Sequence, residues 1–386
     1  MGSILSRDNS AVVPDLPDEI IRSEILTRLP VKSVVRFRCV CKSWNSLLSG
    51  DPDFIKSHLT LYSMNLNNGA LICRCIPHAQ SDDPLTSRFQ LGGSVHGLVC
   101  VYNYDRDASS SISCIGLWNP AINHYKNIPI PPSARSTCIQ SKHNFRLGIG
   151  FDPITNDYKV VYITMKPDHP FVADVYSCNA GSWAKTSAKS TFLSRGEPFP
   201  NPTIVHGRPY WYNDFAGKYY VMFFDVQEEV FRSLPGIGFI NKLKKQKIMV
   251  NLRETLAFMY YNNFNHSFRS VDFYVFNERC GIWTKNYTVG PIIMPERMYF
   301  DLCNCFLSGD LLFGSRNQLK LVSFSSETHA VNNLDSHVYF FDSCRRWYLP
   351  FVGIYGYTES LVSVQGMNAI HVDKAGVDIL IIEKSL

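Results

Sequence analysis

The sequence predicts an α+β chain in two unequal parts, a small all-α helical module at residues 14–59 and a large all-β domain at residues 60–386. Three observations carry this. Apolar residues recur at helical spacing early in the chain and alternate like strands afterwards. The composition is rich in residues that pack on pleated surfaces, with 25 Phe, 20 Tyr and 6 Trp among 386 residues. An aromatic pair also recurs along the second part at intervals that suit the blades of a β-propeller.

The bulk composition excludes several classes. With 45% hydrophobic and 18% charged residues the chain is globular, apart from a flexible tail expected at residues 1–13. A net charge of +5 is too mild for a nucleic-acid binder, and the one basic cluster, Lys242, Lys244, Lys245 and Lys247, reads as a solvated loop. No secretory leader and no long apolar stretch is visible, so the expectation is a cytoplasmic or nuclear protein with reduced thiols and no integral membrane association. The 12 Cys include the pairs Cys39/Cys41, Cys73/Cys75 and Cys303/Cys305 but no C-x-x-C, which favours small core residues over a metal site. Met1-Gly2-Ser3-Ile4-Leu5-Ser6 fits a short myristoylation pattern, against which stands a plain unmodified tail.

In the helical module, Pro17 suits a first helical position and Asp18 and Glu19 suit a first turn. Ile20, Ile21, Ile25, Leu26 and Leu29 follow at helical spacing, and Pro30 ends the run. A second helix is predicted from Ser33, with Val34, Val35, Phe37, Val40, Cys41, Trp44, Leu47 and Leu48 as its apolar positions, until Ser49-Gly50-Asp51-Pro52 stops it. Phe54, Ile55 and Leu59 form a last apolar stretch. So few residues make a poor core by themselves, so the module either caps its neighbour or buries an apolar face in a partner.

These residues resemble an F-box. The carrying segments are Leu16-Pro17, Ile25-Leu26, Leu29-Pro30-Val31-Lys32-Ser33, Arg36-Phe37-Arg38-Cys39-Val40-Cys41-Lys42-Ser43-Trp44 and Pro52-x-Phe54. The resemblance implies binding to a Skp-type adaptor and, through it, membership of a cullin-RING ubiquitin ligase. Leu16, Pro17, Ile20, Ile21, Leu29, Pro30 and Val31 are expected near the adaptor-facing surface, with Trp44 either an anchor there or a pin of the module's own core.

In the second part, short runs such as Gly97–Tyr102, Tyr158–Ile163 and Tyr219–Phe224 alternate with turn formers, and no long helical pattern interrupts them. Large apolar residues seven apart recur as Trp118/Tyr125, Tyr176/Trp183, Phe224/Phe231, Phe276/Trp283 and, more weakly, Phe324/Val331. Phe340/Trp347 repeats the spacing out of period. A second marker, His96-Gly97, His206-Gly207 and Ser308-Gly309, leads into apolar runs. This period over the length of the domain gives about six or seven blades, the alternative being a pair of β-sandwiches.

The blades resemble kelch repeats, although the kelch Gly-Gly doublet occurs only as Gly92-Gly93 and out of rhythm. They are more similar to the F-box-associated domain of plant F-box proteins, a family that includes the S-locus F-box proteins. Gly97–Cys100, Trp118-Asn119-Pro120, Gly150–Pro153, Asn156–Val161 and Tyr357–Val362 carry that likeness.

No phosphate-binding loop, nucleophile elbow or His-Glu-x-x-His motif is present, and Glu228 and Glu229 read as a solvated turn. Cys39 and Cys41 read as small core or surface residues. No cofactor, no metal and no catalytic residue is expected. The expected function is that of a ligase receptor, with the β domain recruiting a protein substrate through loops 103–113, 133–146 and 236–247. Two alternatives stay open: an F-box interaction protein acting outside a ligase, and an enzyme on a propeller scaffold.

Overall fold

The computed structural model describes residues 16–64, 69–75, 90–104, 112–135, 145–164, 171–186, 202–215, 218–237, 245–262, 269–292, 302–305, 308–314, 321–325, 331–333, 338–340, 351–369 and 379–383. The chain divides into two compact units, Met1–Tyr62 and Ser63–Leu386.

The first unit is helical. Helix α1 (Asp18–Ile20) runs on through a π turn at Ile21–Ile25 and a 3₁₀ turn at Leu26–Arg28. Pro17, expected at the first helical position, sits one residue before it, as the N-cap. Pro30 forces Leu29 into an extended conformation (φ −76°, ψ 148°) and so ends the run. The next helix, α2 (Val31–Phe37), starts two residues before Ser33, because the Pro30 carbonyl already accepts the Ser33 and Val34 N–H groups. The predicted second helix is broken at residues 38–41, where Cys41 leaves helical geometry and its sulfur accepts the Trp44 N–H to cap α3 (Lys42–Gly50). The stop signal at Ser49–Pro52 is also a start. Asp51 Oδ1 accepts the Phe54 N–H at 2.8 Å, and Pro52 opens α4 (Pro52–Met64) where its missing N–H costs nothing. Leu26, Val31, Val34, Leu48, Phe54 and His58 fill the core. Arg38 donates to the Leu48 carbonyl near the end of α3, where a cation suits the helix dipole.

Among the described residues the second unit contains six sheets, five with the meander order of propeller blades. Blade 1 comprises Gln90–Val95, Leu98–Tyr104, Ile112–Asn119 and His124–Ile128. Blades 2 to 5 repeat the plan, starting at Phe145–Asp152, Thr203–Val205, Lys245–Leu252 and Leu302–Cys305. Blade 6 is composite: Phe351–Thr358 pairs with Gly69–Cys75 from the start of the domain, then come Ile379–Glu383 and Val338–Phe340. Strands from both ends of the domain thus share one sheet and close the ring.

The seven-residue spacing is the register of one hairpin. Trp118 faces Tyr125, Tyr176 faces Trp183, Phe224 faces Phe231, Phe276 faces Trp283 and Phe324 faces Val331, each across the third and fourth strands of a blade. The residue after the first aromatic makes the turn: the side-chain oxygens of Asn119, Asp225 and Asn277 accept N–H groups two or three residues on, and Ser177 Oγ does so in blade 2. Phe340 lies in blade 6, and Trp347 lies outside the described residues.

Apolar cores form between the blades. One joins Val161, Val175 and Ala173 of blade 2 to Trp211 and Phe224 of blade 3, and another joins Val221 and Phe223 to Met249 and Phe258 of blade 4. Indole N–H groups reach back in the same direction, Trp183 to the Pro129 carbonyl at 2.6 Å and Trp283 to the Pro235 carbonyl at 2.8 Å. Near the axis the blades crowd, and a Cβ at Gly93 (φ +117°) would stand 3.2 Å from Ile204 of blade 3. The Gly92-Gly93 doublet therefore answers to the axis rather than to a kelch rhythm.

The His-Gly markers are tight turns between first and second strands. Both residues of His96-Gly97 and of His206-Gly207 have positive φ, the two-residue geometry that matches strand twist, and Arg253-Glu254 does the same without glycine. The His96 ring packs edge-on against Phe151 and Tyr158, with Nδ1 3.1 Å from the Tyr158 hydroxyl. Burial lowers its pKa from 6.5 to about 4. A depressed base binds its proton in the unfolded chain first. The stability it contributes is therefore complete above pH 6.5 and lost as pH falls towards 4. A loss of about 2 kcal/mol across that window is expected in urea titrations of the propeller transition, with a flatter profile for His96→Asn.

Candidate functional site

The first unit carries an exposed apolar surface that its own core does not use. Leu16 is 56% exposed, Ile20 43%, Ile25 41%, Phe37 36% and Val40 60%. Isolated surface apolars are ordinary, but five exposed ones within 25 residues of sequence make this unit the candidate binding element. The same unit carries a groove of about 960 Å³ lined by Ile21, Leu26, Trp44, Leu47, Phe54 and Leu61. Trp44 is half-buried there, edge-on to Phe37 at 5.9 Å. Arg22 crosses to Asp51 at 2.8 Å, and Arg28 pairs with Glu24 at 2.9 Å on the outside.

The propeller has two different ends. Antiparallel alternation puts the turns between first and second strands, and between third and fourth, at one end. The loops between second and third strands, and the blade-to-blade connections, fall at the other. The first end is built of short turns held to one another: Phe151 N–H to the Gly207 carbonyl, Glu254 to the His206 N–H, Arg253 to the Ser308 carbonyl and Ser360 Oγ to the His96 carbonyl. Gly69 pairs with Thr358, so the domain's first strand begins at this end. Near the axis lies a cavity of about 350 Å³ bordered by Val95, Ile204, Val250, Asn251 and Tyr355. A groove of about 790 Å³ between blades 3 and 4 has Tyr210, Phe223 and Phe276 along it, with Arg208, Glu278 and Arg279.

Among the described residues no group of three or more His, Cys, Asp and Glu side chains is arranged to hold a metal ion. Glu228 pairs with Arg232, and Glu229 reaches the buried Lys159 at 2.8 Å. Lys159 also meets Asp152 and donates to the Val226 carbonyl, a tie between blades 2 and 3. The Glu228-Glu229 turn is thus partly structural rather than simply solvated. Cys39 and Cys41 are exposed and Cys305 is buried.

Comparison with known proteins decides the family. Residues 13–56 match the F-box domain, and residues 59–354 match the F-box associated beta propeller domain. The chain belongs to the F-box proteins with an F-box-associated propeller. One Arabidopsis thaliana relative, an F-box/kelch-repeat protein, is 26% identical over 250 residues, covering 58% of this chain and 65% of the relative. Another Arabidopsis thaliana F-box protein is 31% identical over 252 residues, covering 56% of this chain and 52% of the relative. The chain thus spans less than two thirds of these relatives' lengths. A solved fungal lectin described as a six-bladed β-propeller covers 65% of this chain and 79% of its own at 10% identity and a TM-score of 0.39, too slight a likeness to carry an argument. Among the described residues no helix is long and apolar enough to cross a membrane.

Within the F-box, the residues predicted for the adaptor surface divide. Leu16, Pro17, Ile20 and Pro30 are exposed, and Ile21, Leu29 and Trp44 are partly covered. Val31 is wholly buried, because the helix that follows Pro30 turns its first residue inward beside Val34. Its side chain is therefore part of the core and not of the surface. Ile25, Phe37 and Val40, apolar positions of the helical pattern, are exposed rather than packed in the module's core. Their helices are shorter than the periodicity suggested, and the break at residues 38–41 takes Val40 out of register. Of the basic cluster, Lys242 and Lys244 lie outside the described residues, while Lys245 and Lys247 belong to the strand Lys245–Leu252 rather than to a loop.

Proposed function

We propose that this F-box protein is the substrate-recognition subunit of a Skp–cullin–F-box ubiquitin ligase. On this reading it is non-catalytic and acts in the cytoplasm or nucleus. The carrying observation is that Leu16, Ile20, Ile25, Phe37 and Val40 are exposed on a module whose small core is already filled by other residues. Such a surface suits an adaptor that buries it, with Pro17, Ile21, Leu29, Pro30 and Trp44 alongside. The adaptor joins the receptor to a cullin, and the assembly works by raising the concentration of bound substrate near a charged ubiquitin carrier, which needs no nucleophile on this chain.

Recognition of a protein substrate is assigned to the propeller end that carries the long connections. The described ends of the three candidate segments, Asn103, Ser133, Phe145, Ile237 and Lys247, all belong to that end by strand alternation. Residues 105–111, 136–144 and 238–244 of those segments lie outside the described residues. Turns at the short-turn end are bonded to one another.

Assembly tests this reading. The full chain mixed with a Skp-type adaptor and a cullin is expected to elute from a sizing column as one ternary complex. A complex that holds the adaptor but excludes the cullin would favour an interaction protein acting outside a ligase.

A further inference from the structure

We propose that His58 is a positioning residue for adaptor binding: from α4 it holds the Leu29 carbonyl and so sets the Leu29-Pro30 turn in the shape the adaptor meets. This rests on the reading that the turn faces an adaptor. His58 lies beyond the matched F-box segment, residues 13–56, and 29 residues from the group it binds.

The turn needs an outside donor. Leu29 is extended because Pro30 follows it, so its carbonyl leaves the helical ladder. Pro30 has no N–H, and its carbonyl is already occupied by Ser33 and Val34. His58 Nε2 lies 2.8 Å from the Leu29 oxygen. A carbonyl only accepts, so Nε2 carries a proton, and burial, which lowers the ring's pKa, keeps a second proton off at neutral pH, leaving Nδ1 a buried acceptor with no hydrogen-bond partner among the described residues. The ring is wholly buried, stacked on Tyr62 at 5.7 Å and tilted against Phe54 at 6.1 Å. It is therefore fixed in place and fixes the carbonyl in turn.

The same geometry makes the turn sensitive to acid. A second proton would sit on Nδ1, where nothing accepts it. Burial lowers the ring's pKa below 6.5, partly opposed by the Leu29 bond. Of the charged residues on the surrounding elements, Glu24 pairs with Arg28 and Arg22 with Asp51, Arg38 is held by the Leu48 carbonyl, and Lys32, Asp53 and Lys56 are exposed. Protonation therefore needs a lower pH than at a free imidazole, and it pushes the ring out of its site.

The test uses the full chain and a Skp-type adaptor, with two variants. His58→Gln keeps an N–H donor, and His58→Leu keeps burial but leaves the Leu29 carbonyl unpartnered. At pH 7.5, His58→Gln is expected to bind within about threefold of the wild type and His58→Leu about tenfold more weakly. Between pH 7 and pH 5 the wild-type affinity falls, while that of His58→Gln changes less. Wild-type affinity in a folded His58→Leu would overturn the proposal. If His58→Leu does not fold, equal pH profiles for wild type and His58→Gln would overturn it instead. Amide exchange at Ser33 and Val34 is read without adaptor: protection in wild type and His58→Gln is expected, with faster exchange in His58→Leu. An adaptor that fails to bind even the wild type would count against the functional reading. The exchange result alone then judges the positioning role, and unchanged exchange in His58→Leu would overturn it.

Discussion

Replacing Asn119 with alanine is expected to lower the stability of the propeller by about 3 kcal/mol. Asn119 ends the third strand of blade 1 and is wholly buried. Its Nδ2 donates to the Ser360 carbonyl at 3.0 Å and to the Val362 carbonyl at 2.8 Å, while Oδ1 accepts the Ala121 N–H at 3.0 Å. Residues 359–369 leave the innermost strand of blade 6, cross blade 1 and pair Asn368-Ala369 with His124 and Tyr125 at its outer edge. Asn119 is the clamp that holds this strap, and alanine leaves two strap carbonyls without their donor. Each unmade buried bond costs about 1–3 kcal/mol, which sets the magnitude. Urea unfolding followed on the propeller transition checks it. A loss below about 1 kcal/mol would mean that water replaces the side chain and that the strap is not clamped.

Gly97→Ala and Gly181→Ala are expected to differ sharply although the two glycines share a backbone conformation. Gly97 has φ +77° and Gly181 φ +65°, so a side chain costs about 1–2 kcal/mol at either through the left-handed geometry. Their surroundings separate them. At Gly181 nothing stands within 4 Å of an added Cβ. At Gly97 the Cβ would run into Ser360 Oγ and stand 2.8 Å from the Thr358 backbone oxygen. That backbone belongs to the closing blade and cannot rotate away, so overpacking adds about 1–3 kcal/mol to the first cost. The expected result is a Gly97→Ala loss clearly larger than that of Gly181→Ala in the same denaturation assay. Equal losses would show that the closing strand yields freely at Thr358–Ser360.

How much of this was legible in the sequence follows from the range of each interaction. The aromatic spacing at Trp118/Tyr125, Tyr176/Trp183, Phe224/Phe231 and Phe276/Trp283 was readable because a hairpin fixes it within ten residues. His96-Gly97 and His206-Gly207 were readable as markers for the same reason. The strap was not readable. Trp118-Asn119-Pro120 and Tyr357–Val362 stand out separately in the sequence, but nothing local says that Asn119 and Ser360, 241 residues apart, are one device. Blade 6 hides likewise, since its strands come from residues 69–75, 338–340, 351–358 and 379–383. In the F-box the residue types were visible and their directions were not. Val31 and Val40 have the same side chain, yet one is wholly buried and the other 60% exposed, because short helices and the Cys41 cap reset the register. His58 gave no signal, its partner being a backbone carbonyl.

The central claim is that the exposed F-box residues receive the adaptor. Its most direct test is the affinity of a Skp-type adaptor for the wild-type chain, for Leu16→Asp/Ile20→Asp, and for Ile282→Asp on the propeller. All three positions are exposed in the free chain, so charge there should leave folding intact. The account predicts tight binding to the wild type and to Ile282→Asp, and a loss of about a hundredfold or more for the double variant. Equal affinity for all three folded proteins would contradict it, and would place the adaptor, if it binds at all, on another surface.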